Sequence, residues 1–446
     1  MKAIGIDIGT TTLAAVAVDG ETGALLEARN VPNGADIAPG IQDAEQICQK
    51  ALALIEALEE KYHPDVIGLD GQMHGIVYTD VRGNAVSPLY TWQNGMGDEP
   101  AGEGETHAQR LSRLTGYKAA TGFGTTTHYV LAGQGRVPAE AAKFCAIHDY
   151  IGMRLTGRAA PLTHVSDAAS FGLFDLDAAR FDGGAIERAG LDAALFPQVT
   201  DETALLGRTA RGVPVGCAIG DNQASFFGSV TGPGAAAVNV GTSGQINMWG
   251  DVEGEGFERR PLGGGAFFLT GASLCGGRAY ALLENFLRSC ARVAGVEAAP
   301  GSLYGAMNAL AEEALGFPDK LVFSPLFCGT RQQPHVRAAM TGAQPQNFDA
   351  AHLCGAFVEG MAGELYEMYE KMRDAGAPKP GLLVGSGNAI RKNPALKKAF
   401  EQAFGMPMRI PQHKEEAAYG AALFGLAAVY GQPPLALAGR CVHYEP

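Results

Sequence analysis

The chain has 446 residues, more than one ordinary core accommodates, and two domains are expected. With 46% hydrophobic and 18% charged residues it reads as a soluble globular protein. Its net charge of −13 argues against a nucleic-acid or anionic-membrane partner, although an anionic nucleotide can still bind locally through backbone N–H groups and a metal ion.

The first elements are two strands, "AIGIDIG" and "LAAVAVD", joined by a glycine–threonine turn. A helix follows over about 43–62, with Ile47, Ala51, Leu54, Ile55 and Leu58 at helical spacing, and His63-Pro64 stops it. "DVIGLDG" (65–71) returns as a strand, and a hairpin runs from "HGIVYTD" to "AVSPLYTW" around Arg82-Gly83-Asn84. This is a mixed sheet with helices across it, an α/β domain. The apolar run "VPVGCAIG" ends at Asp221, where a helix is expected. Later helices fall near 277–294 and 349–375, then a strand and Gly-Ser-Gly turn in "PGLLVGSGNAIRKNP". A late helix, "EEAAYGAALFG" (415–425), is rich in small residues, so a neighbour packs closely on it. The 417–431 apolar stretch is too short and too rich in Ala and Gly for a membrane span. The eight cysteines include no Cys-x-x-Cys pair, which sets aside zinc and iron–sulfur sites and suits buried thiols in a reducing compartment. No charged-then-apolar leader opens the chain, and a cytoplasmic location is expected.

The opening recurs near the midpoint: "IDIGTT" at 6–11 aligns with "VNVGTS" at 238–243. Two similar domains, 1–231 and 232–446, are therefore expected, with the boundary in the Gly/Pro cluster "VTGPGAA". Threonine hydroxyls and backbone N–H groups can line a phosphate without a lysine. A plain hairpin is the alternative for one such turn; two matched turns and a third Gly-Ser-Gly turn favour a nucleotide. The first copy carries Asp7 where the second carries Asn239, and one carboxylate suits Mg²⁺ on phosphates, while capping the turn is its simpler role. Asp221 at a strand end suits a base for phosphoryl transfer to an alcohol, or an ordinary N-cap. Gln72 and His74 on one arm of the hairpin and Trp92, Gln93 and Asn94 on the other offer amide, imidazole and indole groups that suit a polyol. The pairs His148-Asp149 and Ser166-Asp167 read as support for the wall of a cleft, since no Gly-x-Ser-x-Gly nucleophile turn is present.

In order along nearly the whole chain, "GIDIGTTT", "GQMHGIVY", "LYTWQNG", "ATGFG", "IHDY", "SDAASFGLFD", "GDNQAS", "NVGTSGQ", "LLVGSGNAIRKN" and "AAYGAALFG" resemble the FGGY carbohydrate kinases. That resemblance implies an α/β, two-domain fold of the actin/hexokinase/Hsp70 type, a duplicated ribonuclease H-like unit with an interdomain cleft. It implies an N-terminal domain carrying the sugar site and first phosphate turn, and a C-terminal domain binding nucleotide. It implies ATP and Mg²⁺ as cofactors. Gly9, Thr10, Thr11 and Thr12 would form the first phosphate turn and Gly241, Thr242 and Ser243 the second. Gly385, Ser386, Gly387 and Asn388 would lie on the adenosine side. Asp7 would position the metal, Asp221 would be the base, and Gln72, Met73, His74, Trp92 and Asn94 would lie along the sugar. "GQMHG" is shared with xylulose enzymes, whereas "TWQ", "ATGFG", "IHDY" and "GDNQAS" lean toward the enzymes of a seven-carbon ketose, sedoheptulose. The alternatives are a xylulose or other ketose or polyol kinase, and, more weakly, a sugar or nucleotide sensor without transfer. Small-molecule partners are expected, and a homodimer is left open. The chain departs from the family at Asn94 and Met96, expected at the edge of the sugar pocket, where an acid and an arginine are usual, and at Thr330 in "FCGTR", where a glutamate is usual.

Overall fold

The computed structural model describes residues 1–102, 104–330 and 333–446, so Arg331, the end of the "FCGTR" stretch, lies outside the described residues. The chain folds into two compact units. The first comprises Met1–Thr231, Pro261–Ala266 and Glu415–Val442, and the second Gly232–Arg260, Phe267–Lys414 and His443–Pro446. The single cut expected at 231/232 differs from this in one main respect: the late small-residue helix returns to the first unit.

The reason lies in the first unit's sheet. Its strands run in the order Leu205–Arg208, Pro214–Gly216, Val66–Gly71, Lys2–Ile8, Thr12–Asp19, Leu25–Pro32, with Ile219–Gly220 also paired to Val66–Gly71. Lys2–Ile8 is antiparallel to Thr12–Asp19 and parallel to Val66–Gly71. A strand covered on both faces needs apolar or small residues along it, which is how "AIGI" reads before Asp7. Ile4, Ile6 and Ile8 point to one face and pack with Ile47, Ala51, Ile55 and Leu58 of the Ala44–Tyr62 helix. That helix starts where the Asp43 side chain accepts from Gln46 N and ends at His63, whose backbone turns left-handed (φ 48°). Alternate residues face the other way. There Gly5 and Gly68 meet the Glu416–Tyr430 helix so closely that a Cβ on either would lie 1.8 Å from the Ala418 or Ala421 carbonyl oxygen. A helix rich in Ala and Gly fits two glycine-bearing strands because backbone touches backbone.

The second unit repeats the plan. Ala266–Ser273, Gly244–Trp249, Ala235–Val240, Leu382–Ser386 and Met408–Arg409 are neighbours in that order. Ala235–Val240 is antiparallel to Gly244–Trp249 and parallel to Leu382–Ser386, as Lys2–Ile8 is to its two neighbours. The core of this unit joins Val238, Ile246 and Leu383 to Phe357, Met361 and Leu365 of the Ala350–Asp374 helix and Phe400 of the Pro394–Phe404 helix. The two copies of the glycine-hydroxyl motif thus occupy equivalent hairpins. Of the cysteines, Cys290 is exposed and Cys328 partly so, and the others are buried free thiols. Among the described residues no helix is long and apolar enough to cross a membrane.

Candidate active site

Three carboxylates gather at the carboxyl ends of three adjacent parallel strands in the first unit, the position where open α/β sheets place ligands. Asp7 is one residue from the end of Lys2–Ile8, and its register partner on the parallel strand is Asp70. Ile219–Gly220 pairs in turn with Asp70 and Gly71, and Asp221 follows directly as the first residue of the Asp221–Ser229 helix. Asp70 is fully buried, and its carboxyl is hydrogen-bonded to that of Asp7. Burial, and then the Asp221 charge, push Asp7 up to about 7. Burial, and then Asp7 and Asp221, hold Asp70 well above the usual carboxylate range. Asp70 was not singled out in the sequence. Its signal was the repeat of apolar-Asp-apolar in "GIDIG" by "GLDG", which becomes an acid pair only through the sheet register. In the second unit the equivalent register partners are Asn239 and Ser386, so the acids are confined to one copy.

Behind this cluster lies a buried polar layer. His148 Nε2 is 3.1 Å from Asp167 Oδ2, and both side chains are fully buried. Burial opposes a charge on His148, but Asp167, Asp149 and Asp221 outweigh it and raise the imidazole to about 9. The Ser166 hydroxyl lies 3.2 Å from Asp167 Oδ2 and accepts from Gly220 N at 3.1 Å, immediately before Asp221. Asp149 accepts from the Thr163 hydroxyl at 2.7 Å and is raised to about 7, chiefly by burial. The two polar pairs therefore form a single support under the start of the Asp221 helix.

The expected sugar-side residues sit in the same unit. Met73 packs on Gly220, where a Cβ would come within 2.8 Å of its sulfur. His74 adopts a left-handed backbone (φ 71°), costly for a residue with a Cβ. It is held there by His74 N donating to Ser170 Oγ (3.0 Å) and by its ring Nδ1 against the Ser170 carbonyl (2.7 Å), which fixes the proton on Nδ1. Its ring stacks on Phe123, with centroids 4.8 Å apart and planes 5° from parallel. Phe123 belongs to "ATGFG" and had no role in the sequence reading. Trp92 is 47% exposed, with its indole N–H donating to Thr10 Oγ1 at 2.9 Å. Asn94 is nearly buried, and its Oδ1 accepts from Met96 N at 3.1 Å. Met96 departs from expectation: its side chain lies in an apolar cluster with Ile76, Tyr90, Leu111 and Val130. A methionine there fills a core, and the position is not a pocket edge.

The turns have a shared logic. In the first, the carbonyls of Gly9, Thr10, Thr11 and Thr12 accept from Asn33 Nδ2, Gln42 Nε2, Asn33 N and Gly9 N. With those oxygens tied inward, the peptide planes turn N–H groups the other way, an arrangement suited to an anion. In the second unit Gly241 N donates to Ser243 O, while Gly241 O and Thr242 O accept from Gly277 N and Arg278 N at the start of the Gly277–Val293 helix. Gly387, with φ 85°, passes so close to this turn that a Cβ would stand 2.5 Å from the Val240 carbonyl oxygen. Asn388 opens the helix that follows it. The three glycine turns at 241–243, 385–388 and 9–12 are thus real turns, the first two of them adjoining.

Among the described residues, no group of three or more His, Cys, Asp or Glu side chains is arranged to hold a metal by itself. A Mg²⁺ ion that keeps waters and needs only one or two carboxylates fits Asp7, a buried carboxylate beside a second one, Asp70.

Fold and site together define a two-unit α/β protein of the actin/hexokinase/Hsp70 class, as the motifs implied. The Plasmodium falciparum glycerol kinase solved with ADP superimposes with a TM-score of 0.81, covering 99% of this chain and 93% of its own at 18% identity. Residues 2–228 match the N-terminal domain, and residues 236–429 the C-terminal domain, of the FGGY family of carbohydrate kinases. The chain belongs to that family and is a carbohydrate kinase. The mouse sedoheptulokinase is 27% identical over 94% of this chain and 96% of its own length. A xylulose kinase from Streptomyces coelicolor is 26% identical over 98% of this chain and 90% of its own.

Proposed function

We propose that the protein transfers the γ-phosphoryl group of ATP to the terminal hydroxyl of a ketose, with sedoheptulose giving sedoheptulose 7-phosphate. The observation that carries the reading is the carboxylate cluster: Asp7 in strand register with Asp70, and Asp221 at the end of the next strand. The terminal hydroxyl oxygen attacks the γ-phosphorus, its proton passes to the Asp221 carboxylate, and the bond to the β–γ bridging oxygen breaks to release ADP. Asp7 would hold Mg²⁺, which would neutralise phosphate charge in the transition state. Gln72, Met73, His74, Trp92 and Asn94 orient the ketose. The N–H groups of Thr10–Thr12, with Gly9 closing the turn, serve the phosphates, and Gly241–Ser243 with Gly385–Asn388 serve the nucleotide. His148 and Asp167 brace Gly220 through Ser166, which fixes where the base stands.

The choice of sugar rests on "TWQ", "ATGFG", "IHDY" and "GDNQAS" and on the similarity to the mouse enzyme. Xylulose is the second reading, favoured by "GQMHG" and by the nearly equal similarity to the bacterial xylulose kinase. ADP release measured over a panel of free ketoses and polyols tests both. A higher kcat/KM for sedoheptulose than for xylulose is expected. The reverse order would transfer the proposal to xylulose, and no sugar-dependent ADP release would refute it.

A further inference from the structure

Thr10 belongs to the phosphate turn by sequence, yet its hydroxyl is engaged elsewhere. Trp92 Nε1 donates to Thr10 Oγ1 at 2.9 Å, and Thr10 Oγ1 lies 3.1 Å from Gln72 Oε1. Gln72 Nε2 is 3.1 Å from Gln42 Oε1, and Gln42 Nε2 is 2.9 Å from Thr10 O and 3.0 Å from Asp36 Oδ1. Gln42, Gln72, Thr10 and Trp92 therefore form one chain of hydrogen bonds that closes on the Thr10 backbone.

The direction of every bond in this chain is determined. A backbone carbonyl and a carboxylate can only accept, so the Gln42 atom facing Thr10 O and Asp36 must be its NH₂. Both Gln42 N–H donors are then used, and its Oε1 faces Gln72 and must accept from it. Gln72 then turns its NH₂ toward Gln42 and its Oε1 toward Thr10. The Thr10 hydroxyl has one proton, which goes to Gln72 Oε1, and its lone pairs take the indole N–H. No proton remains on Thr10 Oγ1 for a phosphate oxygen. Gln42 is fully buried and Gln72 is 2% exposed, so water does not compete with the bond between them. The pairing of Ile41–Gln42 with Leu89–Tyr90 holds Gln42 beside the segment that carries Trp92.

We infer that Gln42 and the Thr10 hydroxyl are positioning residues for the sugar. They fix the Gln72 amide with its second N–H as the remaining donor, and they lock the edge of the Trp92 indole. A ketose oxygen met by Gln72 is read as an acceptor through that donor. Thr10 serves the phosphates with its backbone alone. The inference rests on the assignment of Gln72 and Trp92 to the sugar.

Steady-state kinetics on Thr10→Val, Thr10→Ser and Gln42→Met test it, with the fluorescence of Trp92 read in a Trp249→Phe background. Thr10→Val keeps the shape and removes the hydroxyl, so KM for ketose should rise by about five- to thirty-fold, the loss of one or two hydrogen bonds, while KM for ATP stays within about twofold. Thr10→Ser should recover most of the loss. Gln42→Met should reproduce the ketose effect, and both lesions should shift Trp92 emission. A Thr10→Val enzyme with KM raised for ATP and unchanged for ketose would overturn the inference while leaving the kinase reading intact. A wild type without ketose-dependent ADP release would overturn the kinase reading and this inference together.

Discussion

Replacing His148 by Gln gives the most quantitative test of the buried layer under Asp221. The amide can still reach Asp167 from the Nε2 position, but it cannot carry a proton's charge. In the folded protein burial disfavours the imidazolium, yet Asp167 at 3.1 Å and the nearby Asp149 and Asp221 raise His148 from an ordinary 6.5 to about 9. A folded-state value above the unfolded one contributes stability that is fully present below pH 6.5 and is lost as pH rises through about 9. At about 1.36 kcal/mol per pH unit, the 2.5-unit difference amounts to about 3 kcal/mol. Urea unfolding of the Trp249→Phe protein, followed through Trp92, reports the first unit. The stability gap between wild type and His148→Gln should be about 3 kcal/mol larger at pH 6 than at pH 9.5. Asp7 and Asp149, each raised to about 7 chiefly by burial, are also lowered by the His148 charge, so they make both proteins less stable as pH rises from about 4 to 7, and more so in His148→Gln. A gap of equal size at the two pH values would mean that His148 acts by packing and not by charge.

Asp7→Asn should weaken turnover and shift its Mg²⁺ dependence to higher concentration; an unchanged Mg²⁺ titration would leave Asp7 as a cap. Met96→Arg should destabilise the first unit by about 3 kcal/mol or more, because it places a charge among Ile76, Tyr90, Leu111 and Val130. A thermal midpoint equal to wild type would return that side chain to the pocket edge. Gly68→Ala should cost about 3 kcal/mol or more, since its Cβ would sit 1.8 Å from the backbone oxygen of Ala421. A soluble variant with wild-type unfolding would contradict the close seating of the Glu416–Tyr430 helix.

The features legible in sequence were those with a local signal. The Ala44–Tyr62 helix shows its periodicity and both ends, and the duplicated hairpin shows itself in "IDIGTT" and "VNVGTS". The small residues of 415–425 announced a close approach, but not that the partners were Gly5 and Gly68 of the opening sheet. Asp70 reads as one more residue of a buried strand until the parallel register sets it beside Asp7. Gln42 and Phe123 lie far along the chain from Gln72 and His74, and no spacing rule connects them. Met96 was misplaced because one residue in an irregular loop has no periodicity from which to read its direction.

The most direct measurement is ketose-dependent ADP release by Asp221→Asn beside wild type, with ketose binding followed through Trp92. Loss of the base predicts a fall in kcat of about 10²–10⁴-fold with binding retained. Turnover near the wild-type rate would show that another group takes the proton, and the assignment of Asp221 as the base would fail.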